Sequence, residues 1–276
     1  MEMTNDRLGA LADRIIGVPG VVGVLLGGSR ARGEHEAASD VDLGLYYEGS
    51  LDTAVLGDVA REVAGEGAEV TELGGWGPWV DGGAWLTIEG TAVDWIYRDL
   101  NRVRRAWDDA REGRYRFNAQ TGHPLGVPDF AYAGEVALGV ILIDPSGSLT
   151  ELQNETSDYP PALRETLIEG LWEASFLLEL ARKAVSRSDT VYVAGCLFRA
   201  LELSAHALHG WAGRWVINEK GAIASAGRLP GAPTDFTERA QRALGELGTT
   251  SSAILASIGT AAELVGEVTA VCRASR

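Results

Sequence analysis

Two short apolar runs, Val21–Leu26 and Val41–Tyr47, constrain what this chain can fold into more than any other feature. Each has the length of a single strand, and in the second Val41, Leu43 and Leu45 alternate onto one face. The first run ends in Gly27-Gly28-Ser29, and the second is entered through Ser39-Asp40. A glycine pair at a strand end lets the backbone turn sharply and approach a ligand closely. The fold therefore has to contain a sheet in which these two strands are joined by a short polar connection.

The flanking sequence adds helices and further strands. Leu8, Leu11, Ile15 and Ile16 recur at helical spacing behind Asn5 or Asp6, either able to cap, and Pro19-Gly20 breaks that helix. Leu51–Val63 fits a helix with Asp52 near its start. Ala68–Leu73, Ala84–Glu89 and Thr91–Tyr97 read as strands, and Asp99–Arg114 as a charged helix bearing Leu100, Val103 and Trp107. The stretch Thr121–Pro161 is loop-rich apart from the apolar run Val136–Ile143. Beyond Tyr159-Pro160-Pro161 only helices are expected, at Leu163–Ser186, Asp189–Gly210, Thr234–Leu247 and Ser252–Arg273. The fold class is α+β: a small mixed-sheet domain, residues 1–150, followed by an all-helical bundle domain, residues 151–276.

The first half carries the chemistry. The Ser29 hydroxyl and the N–H groups that open the next turn form an anion site suited to a triphosphate. Asp40 and Asp42, two apart on a strand, leave the same face ~6.7 Å apart along it. Carboxylates so placed can converge on Mg²⁺, which binds one or two of them together with phosphate oxygens. Paired metal ions would clamp an in-line displacement at phosphorus. Asp94 stands inside the apolar strand Thr91-Ala92-Val93-Asp94-Trp95-Ile96-Tyr97, where an aspartate is costly unless paired, hydrogen-bonded or bound to metal. Taken singly, a Gly-Gly-Ser is a turn and an Asp-x-Asp a solvated strand edge; their succession is the signal. Arg30 and Arg32 stand near enough to assist with phosphates, or are solvated arginines.

Gly28-Ser29, ten intervening residues, Asp40-x-Asp42 and a later strand aspartate resemble the nucleotidyltransferase superfamily that includes DNA polymerase beta. A small first domain followed by helices is similar to kanamycin, streptomycin, lincosamide and minimal nucleotidyltransferases. The resemblance implies that Gly28, Ser29 and Arg30 meet the nucleotide phosphates and that Asp40, Asp42 and Asp94 bind Mg²⁺, with Asp94 as metal ligand or proton acceptor. It implies an NTP co-substrate, with ATP taken as the donor, and attack by an acceptor hydroxyl that releases pyrophosphate. The acceptor would be a small molecule, for instance an aminoglycoside-like antibiotic. The resemblance also points to Lys220, in Asn218-Glu219-Lys220-Gly221, as a basic side chain brought onto the triphosphate from the helical domain. Alternatives of other classes are an antitoxin-type regulator that nucleotidylates or binds a protein, and a catalytically silent nucleotide-binding module.

Charge narrows the partners. The 276 residues hold 24 Lys+Arg against 39 Asp+Glu, a net charge of −15, which argues against general nucleic-acid binding. Two cysteines make no disulfide framework, the polar start is unlike a signal peptide, and no apolar run suggests a membrane span. A cytoplasmic enzyme is expected. Weaker signals are Arg199 and His206, spaced as in HEPN ribonucleases or serving as scaffold, with Arg199 paired to Glu202 or pointing into the nucleotide cleft; the arginines from Arg98 to Arg116, read as a salt-bridged helix; His35, read as loop surface; and Trp76, Trp79, Trp85 and Trp95, which line an acceptor or base pocket or fill the core.

Overall fold

In the computed structural model the described residues are 3–31, 33 and 39–274, so Arg32 and His35 lie outside them. The chain divides into two compact units, Met1–Asp109 with Arg116–Asp158, and Ala110–Tyr115 with Tyr159–Arg276. Its class is α+β, with a mixed sheet in the first unit.

The first unit runs α1 (Asn5–Ile15), β1 (Val21–Leu26), α2 (Gly28–Ala31), β2 (Val41–Tyr47), α3 (Thr53–Ala64), β3 (Gly83–Ile88), β4 (Thr91–Asp99), α4 (Leu100–Arg111), β5 (Phe117–Gln120), β6 (His123–Pro128), α5 (Ala131–Leu138), β7 (Val140–Ile143) and α6 (Ser148–Thr156). Five strands form a sheet in the order β3-β4-β2-β1-β7, and β5 and β6 pair as a separate hairpin. Within the main sheet β2 and β4 are parallel, and the other neighbours are antiparallel.

Alternation decides which face is covered. Val41, Leu43, Leu45 and Tyr47 of β2 and Val93, Trp95 and Tyr97 of β4 join Leu8, Leu11 and Ile15 of α1 and Leu56 and Ala60 of α3 in one core. The intervening residues, Asp42, Gly44 and Tyr46 on β2 and Asp94, Ile96 and Arg98 on β4, point the other way. At the far end of this second face Arg98 is only 5% exposed; it makes two 2.6 Å hydrogen bonds to Glu135 of α5 and lies over the Tyr132 ring. Tyr132 stacks on Trp79, the Arg102 guanidinium lies over the same Trp79 ring at 5.5 Å, and Arg102 also bonds Asp81 at 2.9 Å. This network closes one end of the face, while Asp42 and Asp94 at the other end are less deeply covered.

Several sequence expectations need correction. Ala68–Leu73 is not a strand: Thr71 N–H bonds the Gly83 carbonyl, but the return bond from Gly83 N–H goes to the Thr71 hydroxyl, so the side chain ends the ladder after one backbone bond. Residues 121–161 are not mainly loop, since β6, α5, β7 and α6 occupy most of them. The apolar run Val136–Ile143 hid a helix end and a strand start, divided at Gly139. Arg98 belongs to β4 and not to the charged helix. The cap position of α1 is Thr4, whose side chain makes no capping bond, whereas Asp52 caps α3 as expected, accepting from Val55 N–H at 3.0 Å.

The second unit is helical, with α7 (Pro161–Glu169), α8 (Leu171–Ala184), a short 3₁₀ turn at Val185–Arg187, α9 (Thr190–Trp211), α10 (Ala222–Gly227), α11 (Phe236–Gly245) and α12 (Ser251–Ala274). The single helix expected over 163–186 is therefore two, jointed at Gly170. α9 is the central helix, with buried Leu197, Leu201 and Leu208. By length and hydropathy alone α9 and α12 are long and apolar enough to cross a membrane, yet 67% of the apolar window of α9 is buried within the protein. Cys196 and Cys272 are free and buried.

The Arg98–Glu135 pair supports the covered end of the face. Glu135→Ala leaves a buried guanidinium without its counter-charge and should cost about 3–5 kcal/mol. Urea denaturation checks this; a loss below about 1 kcal/mol would show that solvent, not Glu135, satisfies Arg98.

Candidate active site

Register brings the carboxylates together. In the parallel β2–β4 pairing Asp42 stands directly opposite Asp94, both on the face away from the core. Adjacent strands lie ~4.8 Å apart, so the two side chains are nearest neighbours across the sheet. On the other side of Asp42 is the end of β1, where Gly27 N–H donates to the Asp42 carbonyl at 2.8 Å. One residue on, Gly28 has φ +64, and a Cβ there would lie 1.8 Å from Asp42 Oδ2. Glycine is thus required at 28 twice, for its left-handed backbone and for the carboxylate pressed against it. Gly28 opens the single turn of α2, and Ser29 follows it, half-buried.

Arg30 is occupied with the backbone. Its Nη2 donates to the Ser39 carbonyl at 2.9 Å and its Nε reaches the Ser39 and Asp40 carbonyls at 3.3 Å. These bonds fasten the end of the connection just where it delivers Asp40 to β2. Asp40 itself is exposed at the mouth of the strand.

The electrostatics report the convergence. The Asp94 carboxyl is pushed up to about 6, first by burial, then by the charges of Asp42 and Asp40. Three carboxylates crowding one region is a costly arrangement in a folded chain unless something positive joins them. Among the described residues no group of three or more His, Cys, Asp or Glu side chains is gathered closely enough to hold a metal ion. What Asp42 and Asp94 offer is a pair of hard oxygen donors. That suits a magnesium ion whose remaining ligands are phosphate oxygens and water.

Trp85, one of the tryptophans read from the sequence as a pocket candidate, takes the third position in this row. β3 lies at the sheet edge, and Trp85 on it pairs with Asp94. Trp85 is 72% exposed and stacks at 4.5 Å on Trp76. The alternation in Gly83-Ala84-Trp85-Leu86-Thr87-Ile88 carried the signal, since Ala84, Leu86 and Ile88 are buried and leave Trp85 and Thr87 on the face of Asp94. Of the other tryptophans, Trp95 is core, and Trp79 belongs to the buried stack with Tyr132.

The remaining candidates lie in the second unit. Lys220 is exposed in the turn that precedes α10. Arg199 bonds Glu173 at 2.6 Å. His206 is fully buried, its Nδ1 donating to the Glu202 carbonyl at 2.9 Å, and burial drives its ring down to about 4. An imidazole with no exposed surface cannot reach a scissile phosphate, so the ribonuclease-like spacing is read as scaffold.

Comparison with known proteins agrees with the first unit's geometry. The sequence model of the nucleotidyltransferase domain family matches residues 13–76, a span that includes Gly28, Ser29, Asp40 and Asp42 but stops short of Asp94. Residues 13–76 thus resemble a nucleotidyltransferase domain. No curated protein matches the chain. Among solved structures it is similar to a nucleotidyltransferase-like protein from Exiguobacterium sibiricum 255-15, at 13% identity and a TM-score of 0.46, covering 95% of this chain and 74% of that one.

The raised Asp94 carboxyl has a consequence for stability. Folding favours its protonated form, so the native state loses stability as pH rises from the unfolded value of 3.8 through about 6. In EDTA at pH 7.5, Asp94→Asn should therefore melt higher than the wild type, and the difference should close below pH 4. Equal melting temperatures at pH 7.5 would mean that neither burial nor the neighbouring carboxylates raises the Asp94 carboxyl.

Proposed function

We propose that this nucleotidyltransferase domain moves a nucleoside monophosphate from an NTP, with ATP as the usual donor, to a hydroxyl of a small-molecule acceptor. The observation that carries the reading is the row formed by Gly28, Asp42 and Asp94: a backbone turn for phosphates, with two carboxylates directly beside it. Gly28 and Ser29 receive the triphosphate through backbone N–H groups and the serine hydroxyl. Asp42 and Asp94, with Asp40 at the strand mouth, are the residues that would hold Mg²⁺, which when bound neutralises charge on the α-phosphoryl group and the departing pyrophosphate.

Asp94 takes the proton of the acceptor hydroxyl as its oxygen forms the new bond to the α-phosphorus. The bond from that phosphorus to the β-bridging oxygen breaks, and pyrophosphate leaves with the electron pair. Arg30 contributes by positioning: it pins the backbone of Ser39 and Asp40 so that the carboxylates meet the phosphates in a fixed geometry. A cytoplasmic setting, where NTPs are abundant, belongs to this reading, and an antibiotic acceptor is one form it takes.

Pyrophosphate release tests it. With an NTP, Mg²⁺ and a panel of hydroxyl compounds, the wild type should turn over, and Asp40→Asn and Asp42→Asn should each lose at least about a hundredfold while remaining folded. Wild-type rates in both variants would remove the carboxylates from the chemistry.

A further inference from the structure

The central helix α9 carries polar side chains where its packing calls for apolar ones. Glu202, His206 and His209 fall at successive turns along one stripe, and none is more than 4% exposed. His209 is satisfied: its Nδ1 donates to the Ala205 carbonyl at 2.8 Å, and the Ser225 hydroxyl donates to its Nε2 at 3.0 Å. Glu202 is not. Its Oε2 is enclosed and meets no hydrogen-bond partner among the described residues. A carboxylate buried without donors is costly, so its charge has to be removed or its cover has to move.

The cover is the stretch between α9 and α10. Residues 214–219 have no regular structure, and the stretch is tied at both ends to His209. Arg214 N–H donates to the His209 carbonyl at 2.9 Å, and Ser225 of α10 bonds the His209 ring. Trp215 leans on Tyr159 at 4.7 Å, and Val216 is buried. Between these fixed points Glu219 brings its charge to bear on Glu202. Burial first, and Glu219 second, push the Glu202 carboxyl up to about 8, so it keeps its proton at neutral pH. Other charges on the elements around α9 are turned to other groups. Glu173 of α8 is bound to Arg199, and Arg239 of α11 to Glu267 of α12. Arg228, just after α10, acts on His209, and Arg164 of α7 lies beside Gly213. On α9 itself His206 is neutral, burial having taken its ring down to about 4.

We propose that the Glu202 proton is a latch: while it is in place the strap of residues 215–221 lies down on α9, and its loss sets two carboxylates against each other and lifts the strap, with Lys220 on it. Lifted, the strap leaves Glu202 in water at its ordinary value of 4.5; closed, it holds the carboxyl near 8. Opening therefore releases a proton. It becomes easier as pH rises from 4.5, by up to about tenfold per pH unit, and levels off above 8. The latch belongs to the helical unit and is independent of what the first unit transfers.

Lysine occurs only at Lys183 in α8 and Lys220 in the strap, so the protease Lys-C reads the strap directly on the whole protein. The quantity to measure is the cleavage rate at Lys220 divided by that of a free peptide of residues 214–226 at the same pH, which cancels the protease's own pH dependence. In the wild type this ratio should rise by at least about tenfold from pH 6.5 to 8 and be level by pH 9. Glu202→Gln keeps the shape without the charge and should stay at the low-pH ratio throughout. Glu219→Gln, which removes the opposing charge, should show a smaller rise. The corresponding ratio at Lys183 should stay constant, which separates lifting of the strap from loosening of the bundle. A wild-type ratio that does not change with pH, or one near unity throughout, would overturn the proposal. So would a rise that survives in Glu202→Gln, one undiminished in Glu219→Gln, or a parallel rise at Lys183.

Discussion

The parallel pairing of β2 with β4 is the constraint on which the site depends. It alone sets Asp42 beside Asp94, two carboxylates far apart in sequence. A slip of one residue would put Asp42 against Val93 or Trp95, side chains that belong in the core. The register is held because the opposite face buries Val41, Leu43 and Leu45 against Val93, Trp95 and Tyr97 together with α1 and α3. The hydrophobic face thus specifies the polar one: apolar burial fixes the position of charges that by themselves repel.

That repulsion is a standing cost, and the structure shows how it is contained. Gly28 removes a side chain where the Asp42 carboxylate needs room, and Arg30 spends its hydrogen bonds on the backbone that carries Asp40. At the other end of the same face, Arg98 and Glu135 form a neutralised buried pair, and Arg102 and Asp81 form a second. Charges there are matched and covered; charges at Asp42 and Asp94 are like-signed and only partly covered. In the proposed reaction a divalent cation with a polyphosphate would supply the missing match.

Much of this was legible in the residues, and the exceptions are instructive. β1 and β2 were legible because their apolar runs match strand length, with glycine after the first and aspartate before the second. The carboxylates were legible because an aspartate inside Thr91–Tyr97 needs a reason to be there. Ala68–Leu73 misled because its alternation imitates a strand, while the decisive feature, the Thr71 hydroxyl replacing a ladder bond, depends on where Gly83 comes to lie. Arg98 was grouped with a basic helix because its partner, Glu135, is 37 residues away and no local pattern links them. Trp85 was visible as an alternate residue, but only the sheet order reveals that its neighbour is Asp94.

The central claim is that the protein contributes two facing carboxylates and the nucleotide completes the metal site. Manganese titration followed by electron paramagnetic resonance, using Mn²⁺ in place of Mg²⁺, tests this directly. The account predicts weak Mn²⁺ binding to the protein alone and much tighter binding once the α,β-methylene analogue of ATP is added, with the gain lost in Asp42→Asn. Mn²⁺ binding that is equally tight without the nucleotide, or a gain that survives Asp42→Asn, would contradict it.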